Sequence, residues 1–119
     1  GSFSTLQSVL FQITKTQSVF IHPIDVPILK ATELHKIMEV QNDIVQPNFK
    51  GKNGHPILVS PSFWEPLLEF DVDDNNARLD FQIKKSNLQK RTSVVVNDSC
   101  IIQNLNTPKD WLDFIKDSK

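Results

Sequence analysis

Along these 119 residues, segments whose apolar residues have helical spacing alternate with short apolar runs typical of strands. This alternation constrains the fold more than any other feature. β-Branched apolar runs predict strands at 18–21 and 56–60 and a hairpin over 92–103. Helical spacing and helix-start residues predict helices at 4–14, 31–40, 60–70, 77–85 and 107–119. The polar stretch 41–54 is predicted to be a loop or an irregular edge strand. The alternation predicts an α/β domain with a mostly parallel sheet and one antiparallel addition.

Composition narrows the class of protein. With 39% hydrophobic and 23% charged residues, the chain fits one compact domain over 1–119. A net charge of −1 argues against a nucleic-acid-binding surface, which needs a basic face. No apolar run approaches the roughly 20 residues that span a bilayer, so no membrane partner is expected. A single cysteine, Cys100, cannot form an internal disulfide, and this favours a reducing, cytoplasmic setting.

Asp25 is the first candidate for chemistry. It follows the apolar run 19–21, which is predicted to be a buried strand, and Pro23 and Pro27 restrict the backbone on either side of it. Ligands of open α/β sheets bind beyond the carboxyl ends of the strands. Two interpretations stay open from the residues alone: the carboxylate binds Mg²⁺, or it caps a turn or helix start.

The remaining polar candidates also have two interpretations each. His55 can donate to a phosphate or can pack and satisfy a backbone carbonyl. Arg78 can contact a phosphate through its planar fork, or can form a surface ion pair with Asp74 or Asp80. The three histidines lack the compact spacing of a zinc site, and Cys100 is expected to be a small buried hydrophobe.

Five stretches, in this order, resemble a known family: "FSTLQSVL", "VFIHPIDVPIL", "GHPILVSPSFW", "DDNNARL" and "NLNTPKDW". Together they are similar to the second half of the nucleotidyltransferases that attach a nucleotide to molybdenum cofactor, in the cytidylyltransferase and molybdopterin-guanine dinucleotide branches. The resemblance implies a Rossmann-like nucleotidyltransferase fold. It also implies Mg²⁺-dependent transfer of a CMP or GMP group from CTP or GTP to molybdopterin, with release of pyrophosphate.

The resemblance also implies roles for individual residues. Asp25 occupies the aspartate of the family's "DxP" motif, which binds Mg²⁺. His55 of "GHP" borders the site that receives the acceptor, and Arg78 is in register with the arginine of "GDxGAR". Asn104 and Asn106, in a stretch like the family's "DINTPED", are candidates for holding the metal or the nucleotide. Asn76 stands where the family usually has glycine, and this departure weakens any inference about substrate choice.

One expected feature of the family does not occur in these residues. The family opens with a glycine-rich loop of the kind "LAGGxSxRMGxxK", whereas this chain has only Gly1, Gly51 and Gly54. The resemblance therefore implies a C-terminal portion, incomplete at its N-terminus and inactive alone, with a separate N-terminal segment carrying the loop. One alternative is a non-catalytic scaffold domain that keeps the fold, and another is transfer to a sugar phosphate or small alcohol.

Overall fold

The computed structural model describes residues 2–13, 16–71, 73–74, 77–103 and 107–117. The helices and strands within them follow in the order α1 (Ser2–Leu10), β1 (Val19–Ile21), α2 (Ala31–Met38), β2 (Ile44–Phe49), β3 (Lys52–Asn53), β4 (Ile57–Val59), α3 (Pro61–Trp64), α4 (Leu79–Lys85), β5 (Arg91–Val95) and α5 (Pro108–Asp117). Three short 3-10 segments lie at Glu65–Glu69, Leu88–Lys90 and Ser99–Ile102. The predicted α/β class is confirmed. Four predicted helices are present with one or both ends shifted, whereas the helix predicted over 60–70 is α-helical only over Pro61–Trp64 and continues as a 3-10 segment.

The five strands form one mixed sheet in which β2 pairs with β3, β4 and β5, and β4 pairs with β1. Only the β2–β5 pairing is parallel; the β1–β4, β2–β3 and β2–β4 pairings are antiparallel. The prediction of a mostly parallel sheet is therefore wrong for the described residues. The connections from β2 to β3 and from β3 to β4 are only a few residues long, and connections this short can join only antiparallel strands. The helices between β4 and β5 form a longer connection, which allows β5 to lie parallel to β2.

The segment predicted to be a loop or edge strand contains the central strand of the sheet. In β2, Ile44 and Val45 are fully buried on opposite faces. Asn48 organises the turn after β2, because its side-chain oxygen accepts from Gly51 N over 3.0 Å. Gly51 has a φ of 88°, a left-handed conformation that glycine adopts without strain. Pro47 is buried within the strand, and a proline there argued against this assignment at the sequence level.

The predicted second arm of the hairpin is a 3-10 turn instead of a strand. Asp98 begins this turn, since its carboxylate accepts from Cys100 N over 2.9 Å. Cys100 and Ile101 are buried against one face of the sheet. A local side-chain cap has thus overridden the β-branched character of the run.

The core has two parts, one on each face of the sheet. The first part joins α1, α3 and α4 to the sheet through Leu10, Ile44, Ile57, Val59, Trp64, Leu67 and Ile83. The second joins α2 and the 3-10 turn through Leu29, Ile37, Val45, Val96, Cys100 and Ile101. β1 lies at the end of the strand order and is only partly buried, in contrast to the buried strand predicted there. Among the described residues, no helix has the length and apolar character to cross a membrane.

Candidate functional site

The turn after β1 carries Asp25. The backbone hydrogen bond of this turn, from Val26 N to Pro23 O, is 3.4 Å long. His22 spans the same turn, with Nε2 lying 2.6 Å from Val26 O. Because a carbonyl oxygen can only accept, Nε2 of His22 carries the proton and donates.

The Asp25 carboxylate is half-buried, and within the described ranges no hydrogen bond or ion pair engages it. The helix that follows begins at Ala31 and has Lys30 at its N-cap. Asp25 therefore does not cap that helix. A half-buried carboxylate without a partner is available to a cation or a hydrogen-bond donor.

His55 reaches the same region from the loop before β4. Its backbone N–H donates to Ile101 O over 3.2 Å, and Gly54 N donates to Pro47 O over 3.0 Å. A Cβ at Gly54 would lie 2.7 Å from the Ile101 carbonyl carbon, so only glycine fits this approach. The His55–Pro56 peptide bond is cis. These contacts fix the backbone that presents the half-buried imidazole.

The electrostatics of His55 show which groups face it. Burial lowers the pKa of His55 below its usual 6.5, the neighbouring His22 lowers it further, and the negative charge of Asp25 opposes both. His55 is therefore close enough to both His22 and Asp25 to be affected by their charges, and the three residues are hereafter called the His22–Asp25–His55 cluster. Nδ1 of His22 is buried without a hydrogen-bond partner in the described residues.

An open groove of about 620 Å³ runs beside this cluster. Its apolar wall comes from α1 and β1 and the connection between them, with Phe3, Leu6, Val9, Leu10, Ile13, Val19, Phe20 and Ile21. Its polar lining comes from His22, His55, Arg78 and Asp80. A groove lined by apolar side chains and a few polar groups is suited to a ligand with an apolar body and a polar group.

Arg78 lines this groove but also makes the surface ion pair that was one of its two interpretations. Its guanidinium nitrogen lies 3.1 Å from the Asp80 carboxylate, and the two side chains are 70% and 57% exposed. An exposed pair of this kind contributes little to stability. Arg78 is therefore free to exchange Asp80 for an anionic ligand at small cost.

Other predicted residues have different outcomes. Asn104 and Asn106, like Asn76, lie outside the described residues. Thr107 and Asp110 form a reciprocal cap at the start of α5, with both bonds 3.1 Å long. Cys100 is buried, as predicted, and burial together with the neighbouring Asp98 raises its pKa to about 12.

His22 is the site residue that sequence reasoning did not select. It was considered only as one of three histidines too dispersed for zinc. Its position was a usable signal, because it directly follows β1 and precedes Asp25 by three residues. Residues at the end of a strand commonly face the ligand side of an α/β sheet.

The donor groups fit some metals better than others. Within the described ranges, no group of three His, Cys, Asp or Glu side chains is arranged to hold a metal ion. A protein-only cage of the zinc type is therefore not formed by these residues. A single carboxylate such as Asp25 fits Mg²⁺, which is usually held by one or two carboxylates together with phosphate oxygens and water.

Comparison with known proteins decides the family. Residues 1–88 match the model of the MobA-like NTP transferase domain. The chain belongs to this family. The membership confirms the resemblance found in the motifs, and it supports nucleotidyl transfer from a nucleoside triphosphate in general terms.

A solved structure supports the fold of this MobA-like chain. It is the crystal structure of the Mycobacterium tuberculosis Rv0371c homolog from Mycobacterium sp. strain JC1, with a TM-score of 0.70 and 18% sequence identity. The similarity covers 96% of this chain and 57% of the other, so the chain spans little more than half of that protein. No curated protein matches the sequence.

Proposed function

We propose that this chain forms the metal-presenting and acceptor-binding part of a Mg²⁺-dependent nucleotidyltransferase. The reaction transfers a CMP or GMP group from CTP or GTP to a molybdopterin-type acceptor and releases pyrophosphate. The observation that carries the proposal is the groove at the end of β1, whose lining includes Pro23, His55 and Arg78. Asp25 follows Pro23 by two residues in the turn beside it. Family membership supports the nucleotidyl transfer, and the motif resemblance supports the choice of acceptor.

The bond changes of this reaction are those of a phosphoryl-type displacement. An oxygen of the acceptor's phosphate attacks the α-phosphorus of the nucleoside triphosphate and forms a new P–O bond. The bond from the α-phosphorus to the oxygen that bridges to the β-phosphorus breaks, and pyrophosphate leaves with that oxygen. Bound Mg²⁺ supplies charge neutralisation on the phosphates.

Each residue of the site has a defined part in this proposal. Asp25 offers a carboxylate that has no hydrogen bond or ion pair with the other described residues, and it would hold the Mg²⁺. His55 offers an imidazole in the lining of the groove, where it can donate to the acceptor's phosphate. Arg78 can leave its exposed pair with Asp80 to bind the same phosphate. The apolar wall from α1 and β1 accommodates the ring system of the acceptor.

The triphosphate itself is assigned to a separate polypeptide segment that carries a glycine-rich loop. Gly51 forms the turn after β2 and Gly54 packs against Ile101, so neither is available to cradle phosphates. Among the described residues β1 pairs only with β4, and its other side offers a place for a further strand. The chain's partial coverage of its structural neighbour is consistent with this division.

The test replaces Asp25 in the full natural protein. Asp25→Asn keeps the shape of the side chain but removes its charge, and we expect nucleotidyl transfer at saturating Mg²⁺ to fall by about 100-fold or more. Asp113→Asn, an exposed change on α5, is the matched control and should leave transfer unchanged. Undiminished turnover of Asp25→Asn would overturn the metal assignment. Absence of transfer by the natural protein with either nucleotide would favour the scaffold alternative.

A further inference from the structure

A side chain, more than the backbone, closes the turn that carries Asp25. The backbone bond from Val26 N to Pro23 O is 3.4 Å, longer than the usual range of about 2.7–3.2 Å for N–H to O bonds. The bond from His22 Nε2 to Val26 O is 2.6 Å. The shorter bond is the stronger one, so the shape of the turn depends mainly on His22.

The Asp25 carboxylate has no hydrogen bond of its own in the described part of the chain. Its position is therefore set by the backbone of the turn and by packing. His22 has one hydrogen bond, to Val26, and its Nδ1 is buried without a partner among the described residues. The hydrogen bonding of the His22 ring among the described residues is consequently the bond that closes the turn.

We propose that His22 is a positioning residue that fixes the turn carrying the Asp25 carboxylate through its hydrogen bond to Val26 O. The geometric part of this inference stands on the turn alone. Its consequence for Mg²⁺ rests on the proposed function. Groups that orient a metal ligand commonly change metal affinity by about 10- to 100-fold when they are removed.

Two variants of His22 separate the hydrogen bond from the rest of the ring. In His22→Gln the terminal amide nitrogen occupies a place similar to Nε2 and can still donate to Val26 O. In His22→Asn the amide nitrogen lies nearer the backbone, where Nδ1 was, and cannot reach. Both variants remove the ring, so a difference between them reports the bond. His22→Ser, which also lacks the reach, replaces the asparagine variant if that variant fails to fold.

The first measurement is amide hydrogen exchange on this chain and needs no activity. We expect the Val26 amide to exchange about tenfold faster or more in His22→Asn than in the natural sequence, because the turn opens more often. His22→Gln should stay within about threefold of the natural sequence. Equal exchange rates in the two variants would show that the bond does not hold the turn.

The second measurement is the Mg²⁺ dependence of nucleotidyl transfer by the full natural protein. We expect His22→Asn to raise the Mg²⁺ concentration for half-maximal rate by about tenfold, with kcat at saturating Mg²⁺ within about twofold. His22→Gln should restore the natural Mg²⁺ dependence. An unchanged Mg²⁺ dependence in His22→Asn would overturn the positioning role. A complete lack of transfer by the natural protein would count against the proposed function, whereas the exchange measurement would still decide the role of His22.

Discussion

The backbone N–H of His55 donates to the carbonyl oxygen of Ile101 over 3.2 Å. This bond joins the loop before β4 to the 3-10 turn that follows β5. Two segments distant in sequence therefore meet directly behind the imidazole. The position of His55 in the groove is set by backbone packing, and it does not depend on a partner for its ring.

Gly54→Ala should destabilise the chain. Its new Cβ would lie 2.7 Å from the Ile101 carbonyl carbon and 2.8 Å from the Ile101 Cβ, and the backbone there cannot give way cheaply. We expect a loss of about 1–3 kcal/mol in the free energy of unfolding, measured with urea. Gly51→Asn is the control, because that position is open and asparagine tolerates its positive φ. An alanine at 54 without cost would mean that the loop does not approach Ile101 this closely.

His55 should make stability fall as the pH is lowered. Its folded pKa lies below the usual 6.5, so the unfolded chain binds a proton more readily than the folded chain in the window below 6.5. The free energy of unfolding should therefore decrease as the pH falls from 6.5 through the folded pKa. Urea unfolding at pH values on both sides of 6.5 measures this effect. His55→Gln should reduce the dependence, whereas His35→Gln, on the exposed side of α2, should not.

Arg78→Gln should separate the ion pair from phosphate binding. The pair with Asp80 is largely exposed, so stability should change by less than about 0.5 kcal/mol. Loss of a charged hydrogen bond to a phosphate costs about 1.5–3 kcal/mol, which corresponds to a rise in the KM for the acceptor of roughly 10- to 100-fold. Asp80→Asn breaks the same pair but keeps the cation, and its KM should stay close to the natural value. An equal rise in KM for both variants would assign the effect to the ion pair.

Gln7→Leu should loosen α1. The Gln7 amide donates to Leu67 O and Phe70 O, both over 2.8 Å, and Gln7 is only 8% exposed. Leucine would leave two carbonyls without this donor, so we expect a loss of about 1–3 kcal/mol in urea unfolding. Gln12→Leu is a matched control, since Gln12 makes only an exposed bond of 3.3 Å within its own segment. Similar small losses in both variants would show that the Gln7 bonds do not hold α1.

Cys100 should be almost inert toward thiol reagents in the folded chain. Burial, together with Asp98, raises its pKa to about 12, and the thiol is enclosed. At pH about 8 the ionised fraction of Cys100 in the folded chain is then only about 10⁻⁴. In the unfolded chain a substantial fraction of the thiol is ionised at the same pH. A disulfide reagent should react more than about 100-fold faster in urea than in buffer. Fast reaction in buffer would show that the 3-10 turn opens readily.

Some elements could be predicted well because interactions between residues close in sequence determine them. The start of α5 depends on the bonds between Thr107 and Asp110, which lie three residues apart. β2 could not be recognised in this way, since its stability comes from β4 and β5, and Pro47 weakened the local strand signal. The hairpin prediction failed because the Asp98 cap competed with β-branched propensity.

The site was predictable only in part for a related reason. Asp25 and His55 are candidates because the motifs resemble a family, and the negative charge of Asp25 opposes the lowering of the His55 pKa. His22 lies inside one of these motifs, but the resemblance gives it no role, and its bond to Val26 is what marks it as part of the site. Arg78 had two interpretations at the sequence level, and its exposed contact with Asp80 is compatible with both.

The unpaired side of β1 has a consequence for handling this chain in the laboratory. Among the described residues, a three-residue strand with Phe20 36% exposed lies next to the apolar groove and pairs on one side only. Free N–H and C=O groups beside apolar surface recruit strands from other molecules. The purified chain should therefore lose solubility with increasing concentration, and co-expression with a strand-donating segment should restore it.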